Sequence, residues 1–238
     1  MKRKLLLISL CVFYTAIFYS QNSTNLLNNL EKTTYKWFDS IVGQKNSDLS
    51  LGVKYFDKIR TINNNHKYYI SQRFQTGNIT YNNQPYFDIK MKYDIHFDQM
   101  IIQLTNKLEK YTLQLEKSEI QRFSLMNKNF INLSTKNNAY GFVEEFKKGK
   151  ISLYKKHFKQ RFKRLDKRFK YSTFKDESFY LVFYKNKFTE VRSKDDLRKQ
   201  FPSIKKEINQ LYKASKSFSN TDAFMVNLIT QIELLISN

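Results

Sequence analysis

The chain has 238 residues, with 42 lysines and arginines against 21 acids and a formal charge of +21. That length can bury a sizeable core, and that charge favours anionic partners. With one cysteine and five glycines, disulfide scaffolds, cysteine-based zinc sites and glycine-rich phosphate loops are all disfavoured. Lysine, asparagine, isoleucine, phenylalanine and tyrosine are abundant together, as in proteins of AT-rich genomes, so solubility alone competes with anion binding as the reason for the charge.

Lys2-Arg3-Lys4, the apolar run from Leu5 to Phe18 and the Asn-rich segment after Gln21 read as a secretory signal peptide over residues 1–20, cut after Ser20. Leu10, directly before Cys11, argues against lipidation. An uncleaved anchor is the competing reading. Cleavage removes three basic residues and the cysteine, leaving 39 basic against 21 acidic groups, near +18. No transmembrane span is expected after it.

Residues 21–43 predict a helix. Leu26, Leu27, Leu30, Tyr35, Trp37, Phe38 and Ile41 favour one side, which should pack on or beside a sheet, and Gly43 can end it. From 51 to 192 the chain reads as an antiparallel β domain. Val53–Ile62 and Lys67–Phe74 predict a hairpin around Asn63-Asn64-Asn65, and Asn78–Tyr81 and Pro85–Tyr93 another around Asn82-Asn83. Phe87 to Phe97 alternates apolar and polar residues without a miss, the period of a strand with one buried face. It is read as the central strand, bending or turning near Asp94–Asp98. Strands follow at Met100–Leu104, Lys110–Glu116, Ile120–Leu125 and Asn129–Leu133. Tyr140–Phe146 and Ile151–Lys155 flank a turn in which Gly149 would be left-handed, and Phe179–Tyr184 and Phe188–Val191 flank Lys185-Asn186. Residues 193–238 turn helical, capped by Ser193, broken at Phe201-Pro202 and ending in an apolar stripe from Phe224 to Ile236 that should cover the sheet. The expected class is mainly β (α+β): an antiparallel meander or half-barrel with an N-terminal helix and two to three C-terminal helices.

Several stretches carry a resemblance: Gly77 to Tyr86, Lys92-Tyr93-Asp94 with Asp98 to Ile102, Gly141 to Phe146 with Gly149 to Leu153, and Lys194 to Leu197 with Phe201-Pro202 and Lys205. In these the chain resembles a group of secreted envelope proteins of Bacteroidetes to which no activity is attached. The resemblance implies export and transfers no functional residue.

Asp94, His96 and Asp98 would project from one face of a continuous strand, about 7 Å apart. Two carboxylates and an imidazole so placed could ligate a divalent metal, unless the chain turns there and the three diverge. Glu144 and Glu145 are neighbours, which on a strand point to opposite faces. No nucleophile elbow, dinucleotide fingerprint or metalloprotease helix occurs. The basic segment from Lys155 to Lys170 holds Lys155, Lys156, Lys159, Arg161, Lys163, Arg164, Lys167 and Arg168 with Asp166 as its one acid. Phe158, Phe162, Leu165 and Phe169 would line one side of an amphipathic helix, a membrane-surface pattern. As strand and loop the same residues make a basic patch with interleaved aromatics, and a solvated connection between strands is the plainest alternative.

The expectation is an exported, non-enzymatic envelope protein serving binding or assembly, without cofactor, whose basic patch contacts an anionic lipid, lipopolysaccharide or an envelope protein rather than nucleic acid. A carrier holding an apolar ligand in a curved sheet is one alternative. A metal-dependent enzyme using Asp94, His96 and Asp98 is the other.

Overall fold

A computed structural model of the protein describes residues 30–38, 41–43, 46–105, 109–134, 140–166, 169–214 and 221–237. The expected signal peptide, the first part of the N-terminal helix, and Lys167 and Arg168 lie outside the described residues.

The strands are β1 (Val53–Lys54), β2 (Gln75–Tyr81), β3 (Gln84–Asp94), β4 (Gln99–Thr105), β5 (Lys110–Gln114), β6 (Ile120–Leu125), β7 (Lys128–Asn132), β8 (Phe142–Lys147), β9 (Ser152–Lys156), β10 (Lys159–Leu165), β11 (Lys170–Asp176), β12 (Phe179–Tyr184) and β13 (Lys187–Val191). Eleven of them form one sheet in the order β1-β5-β4-β3-β2-β6-β7-β8-β9-β12-β13, and β10 and β11 pair with each other as a separate hairpin. All these pairings are antiparallel.

The expected meander therefore breaks where β1 pairs with β5 and where β6 returns to pair with β2, and the β10–β11 hairpin is left out between β9 and β12. The sheet is tightly rolled. β3 and β8 stand four places apart, about 19 Å in a flat sheet, yet the Tyr93 hydroxyl donates to the Phe142 carbonyl at 3.3 Å. Inside the roll Tyr93, Phe123, Phe130 and Phe142 pack ring on ring, Phe123 and Phe130 stacked at 4.6 Å.

Local signals explain the tight turns. Asn82-Asn83 and Lys185-Asn186 both take the left-handed backbone that two-residue hairpins require, as does Met126-Asn127 between β6 and β7. Gly149 does not. Its turn is held from outside, by Glu233, which accepts from the Ile151 amide at 2.9 Å and from Lys147.

The expected hairpin at Asn63-Asn64-Asn65 also fails to pair. The two asparagines Asn63 and Asn64 do turn the chain with φ of 54° and 56°, but the arms find other partners. β1 pairs with β5, the Tyr69 amide donates to the Tyr93 carbonyl at 2.8 Å, and the Asn65 amide group brackets Phe174 on β11. Backbone groups satisfied by distant strands have no need of each other.

The alternating stretch is split by a bulge. Phe87 and Asp88 together face Asn78, Asp88 has φ of 55°, and its amide donates to the Asn78 side chain. Tyr86 thus takes the buried place that the alternation assigns to Phe87, while Ile89, Met91 and Tyr93 point inward as expected.

Helix α1 (residues 30–38, with a further turn at 41–42) ends at Gly43, whose φ is 77°. Of the side expected to pack on the sheet, Tyr35 does so, against Phe87, with Lys36 pairing Asp88 beside it, whereas Leu30, Trp37, Phe38 and Ile41 are exposed. At the other end α2 (Lys194–Gln200), α3 (Lys205–Ala214) and α4 (Thr221–Leu235) cover β9, β12 and β13. The Asp196 carboxylate accepts the Ser193 amide and hydroxyl at the head of α2, as the sequence anticipates. Met225, Leu228, Ile229 and Ile232 of α4 pack on Leu153 and Val182.

Candidate functional site

Two charged layers lie near one another, and they differ in kind. The first is internal. Asp94, 0 % exposed, pairs with Lys67 at 2.9 Å. Asp98 receives Lys156 at 2.6 Å, Lys117 at 2.5 Å and the Tyr93 hydroxyl at 2.6 Å. Glu144, 3 % exposed, meets His157 at 2.7 Å and Lys128 at 3.1 Å, with the Tyr69 hydroxyl at 3.5 Å. Burial pushes the Asp98 carboxyl up, but the Lys156 ammonium and the bonds from Lys117 and Tyr93 more than offset it and hold it below the ordinary value. Glu144 follows the same logic: burial raises it, and His157 and Lys128 bring it lower still.

These pairs close the end of the rolled sheet where the β3–β4 turn meets β8 and β9. They also dissolve the expected metal trio. The Asp94 carboxylate turns the chain by accepting from the amides of His96 and Phe97. His96 Nδ1 lies 2.9 Å from the Lys159 carbonyl oxygen, its ring against Phe97 and Phe174. Asp98, at φ 55°, faces Lys117 and Lys156. Asp94, His96 and Asp98 thus point three ways, and among the described residues no group of three His, Cys, Asp or Glu could hold a metal ion.

The second layer is at the surface. From Lys155 to Asp166 the chain is not a helix: it is the end of β9 and the arm β10 of the hairpin, and Lys170 begins β11. The expected patch is divided. Lys155 pairs with Asp222 of α4 at 2.7 Å, Lys156 is 8 % exposed beside Asp98, and Lys159 donates to the carbonyls of His66 and Tyr68. These three bind the protein to itself. Arg161, Lys163 and Arg164 instead line a groove of about 510 Å³ together with Lys58, Arg60 and Lys170.

The groove is built around β11. Residues 58–61 run along one side of it, joined by the Thr61–Ser172 bridge and by the Ser172 amide donating to the Arg60 carbonyl at 2.9 Å. β10 runs along the other, Lys163 opposite Ser172. The arginines are held in place. Arg161 Nε donates to Ser172 Oγ at 2.9 Å, Arg164 Nε to Thr173 Oγ1 at 3.4 Å, and the Arg60 guanidinium lies over the Phe169 ring at 4.0 Å. Fixing Nε or the guanidinium face leaves the terminal nitrogens as a fork suited to oxyanions. Among the described residues, none of the six groove cations forms an ion pair with a carboxylate.

Sequence reasoning missed Lys58 and Arg60, which join the patch only through the bridge to β11. It also missed the His157–Glu144 contact. The hairpin turn at 147–151 held that signal, because pairing Glu144 with Lys155 leaves His157 two residues further along the same face.

Fold and groove together define a rolled antiparallel sheet with a helical cover and a projecting basic hairpin. Compared with protein-family models, curated proteins and solved structures, the chain matches none.

Proposed function

We propose that this is an exported binding protein, not an enzyme, that holds an anionic component of the cell envelope in the basic groove. One observation carries the reading: six cations converge on one groove, three of them arginines held in place, with no carboxylate paired to any of them among the described residues. Elsewhere the protein matches buried charges closely, so six uncompensated ones are left for an external anion. The basic and apolar leader of residues 1–20 supports the envelope as the place of action. The interior that a carrier would use is filled by Tyr93, Phe123, Phe130 and Phe142 in mutual contact.

Charge reversal tests the reading. Arg161→Glu, Lys163→Glu and Arg164→Glu together should weaken binding to heparin or long-chain polyphosphate by about tenfold or more, with a shallower dependence on salt. The triple Lys185→Glu, Lys187→Glu, Lys206→Glu changes the net charge equally, outside the groove. Equal losses from both triples would mean that overall charge, not the groove, does the binding.

A further inference from the structure

We infer that the outer face of the rolled sheet holds a second binding site, for a sugar ring that carries one carboxylate. It is separate from the basic groove and shares no residue with it. A pocket of about 270 Å³ lies over β2, β6 and β7. That is just under the roughly 300–1,000 Å³ usual for small-ligand sites, room for one ring rather than a chain. Strand register sets out its polar groups. Asn78 faces Ser124, Ser124 faces Asn129, and the Phe130–Glu144 pairing, carried one step further, brings Glu145 beside Asn129. The next row is Thr80, Arg122 and Ile131. Neighbours in a row stand about 4.8 Å apart and the two rows about 7 Å apart.

The bulge in β3 completes the site, as bulges do where they re-aim a side chain. It takes Phe87 out of the core, and the ring becomes the apolar wall at the β3 end of the pocket. The Asp88 amide occupies Asn78 Oδ1, which leaves the Asn78 side-chain amide free to donate. At the other end Glu145 Oε2 is buried, and Lys148 lies 3.0 Å from it without the alignment of a hydrogen bond. Between them the side chains of Thr80, Arg122, Ser124 and Asn129 make no hydrogen bond or ion pair among the described residues. Amides and hydroxyls both donate and accept, as ring hydroxyls do, and an unpaired guanidinium grips a carboxylate with two parallel bonds. Arg122 is the one cation lining the pocket among the described residues. One carboxylate on a polyhydroxylated ring therefore uses every group present, whereas a polyphosphate would find a single countercharge.

The test is an NMR titration of the isotope-labelled full chain with D-glucuronate, set against D-glucose for the ring alone and acetate for the carboxylate alone. Glucuronate should shift the backbone amides of residues 78–80, 122–124 and 129–131, and bind about tenfold more tightly than either control. Arg122→Gln should bring glucuronate down to the level of glucose, and Asn129→Ala should weaken both sugars. Both side chains are exposed, and melting curves check that the variants fold. The triple Arg161→Glu, Lys163→Glu, Arg164→Glu should leave these shifts unchanged, and Arg122→Gln should leave polyphosphate binding unchanged, so the two sites stand or fall separately. Acetate binding as tightly as glucuronate would overturn the sugar, and glucose doing so would overturn the carboxylate. Shifts confined to residues 58–60 and 161–164, or no shifts at all, would overturn the second site.

Discussion

Asp98 shows how much one side chain can be asked to do here. It accepts from Lys117, Lys156 and Tyr93, and a Cβ at Gly141 would meet its carboxylate. Removing a partner from a buried pair costs about 3–5 kcal/mol, since a charge is left stranded in low dielectric. Asp98→Asn should therefore lose stability of that order in urea melts, mostly through Lys156, and adding Lys156→Met should recover part of it. The pH dependence has a definite sign. A carboxyl whose folded value lies below its unfolded value of about 4 stabilises above that pH, and the gain is lost as pH falls through the folded value. Asp98, Glu144 and Asp222 are all lowered, so stability should fall on acidification below about pH 4. Asp98→Asn should flatten that acid loss.

At the scale of elements, the turns differ in where their support comes from. Asn82-Asn83 adopts its left-handed pair and is tied to Asp48, Gln121 and the Glu119 carbonyl. The β8–β9 turn leans on α4 through Glu233, which takes the Ile151 amide and Lys147. Glu233→Ala should cost about 1–3 kcal/mol, the range for a stranded donor, and should speed amide exchange at Ile151 before it affects β3. Gly141 is the sharper case. Its φ is 68°, and a Cβ there would come within 1.8 Å of Asp98 Oδ2. Gly141→Ala should then cost roughly 2–5 kcal/mol by urea melts, from backbone strain and overpacking together.

Taken whole, the molecule separates its charges by depth. The cations near Asp94, Asp98 and Glu144 hold the fold together, and those lining the groove around β11 form no ion pair among the described residues. Buried pairs are poorly screened, whereas surface attraction weakens within a Debye length of about 8 Å at physiological salt. Raising salt should thus leave the thermal midpoint nearly unchanged while anion binding falls steeply. Parallel movement of the two would place the groove cations inside the folding balance.

Much of this was legible in the residues. The strands β3, β4, β6 and β12, the turns at Asn82-Asn83 and Lys185-Asn186 and the Ser193 cap follow from local backbone preferences and apolar patterning, which short stretches of sequence determine by themselves. What only the tertiary structure decided was long-range. The roll brought Tyr93 to Phe142, the bulge at Asp88 exchanged Tyr86 for Phe87, and the Asp94 turn scattered the supposed metal ligands. Lys155 and Lys156 found carboxylates and Lys159 backbone carbonyls, while the bridge to β11 set Lys58 and Arg60 beside Arg161, Lys163 and Arg164. Those outcomes depend on which distant groups satisfy a backbone amide or a buried charge, and no local period encodes that choice.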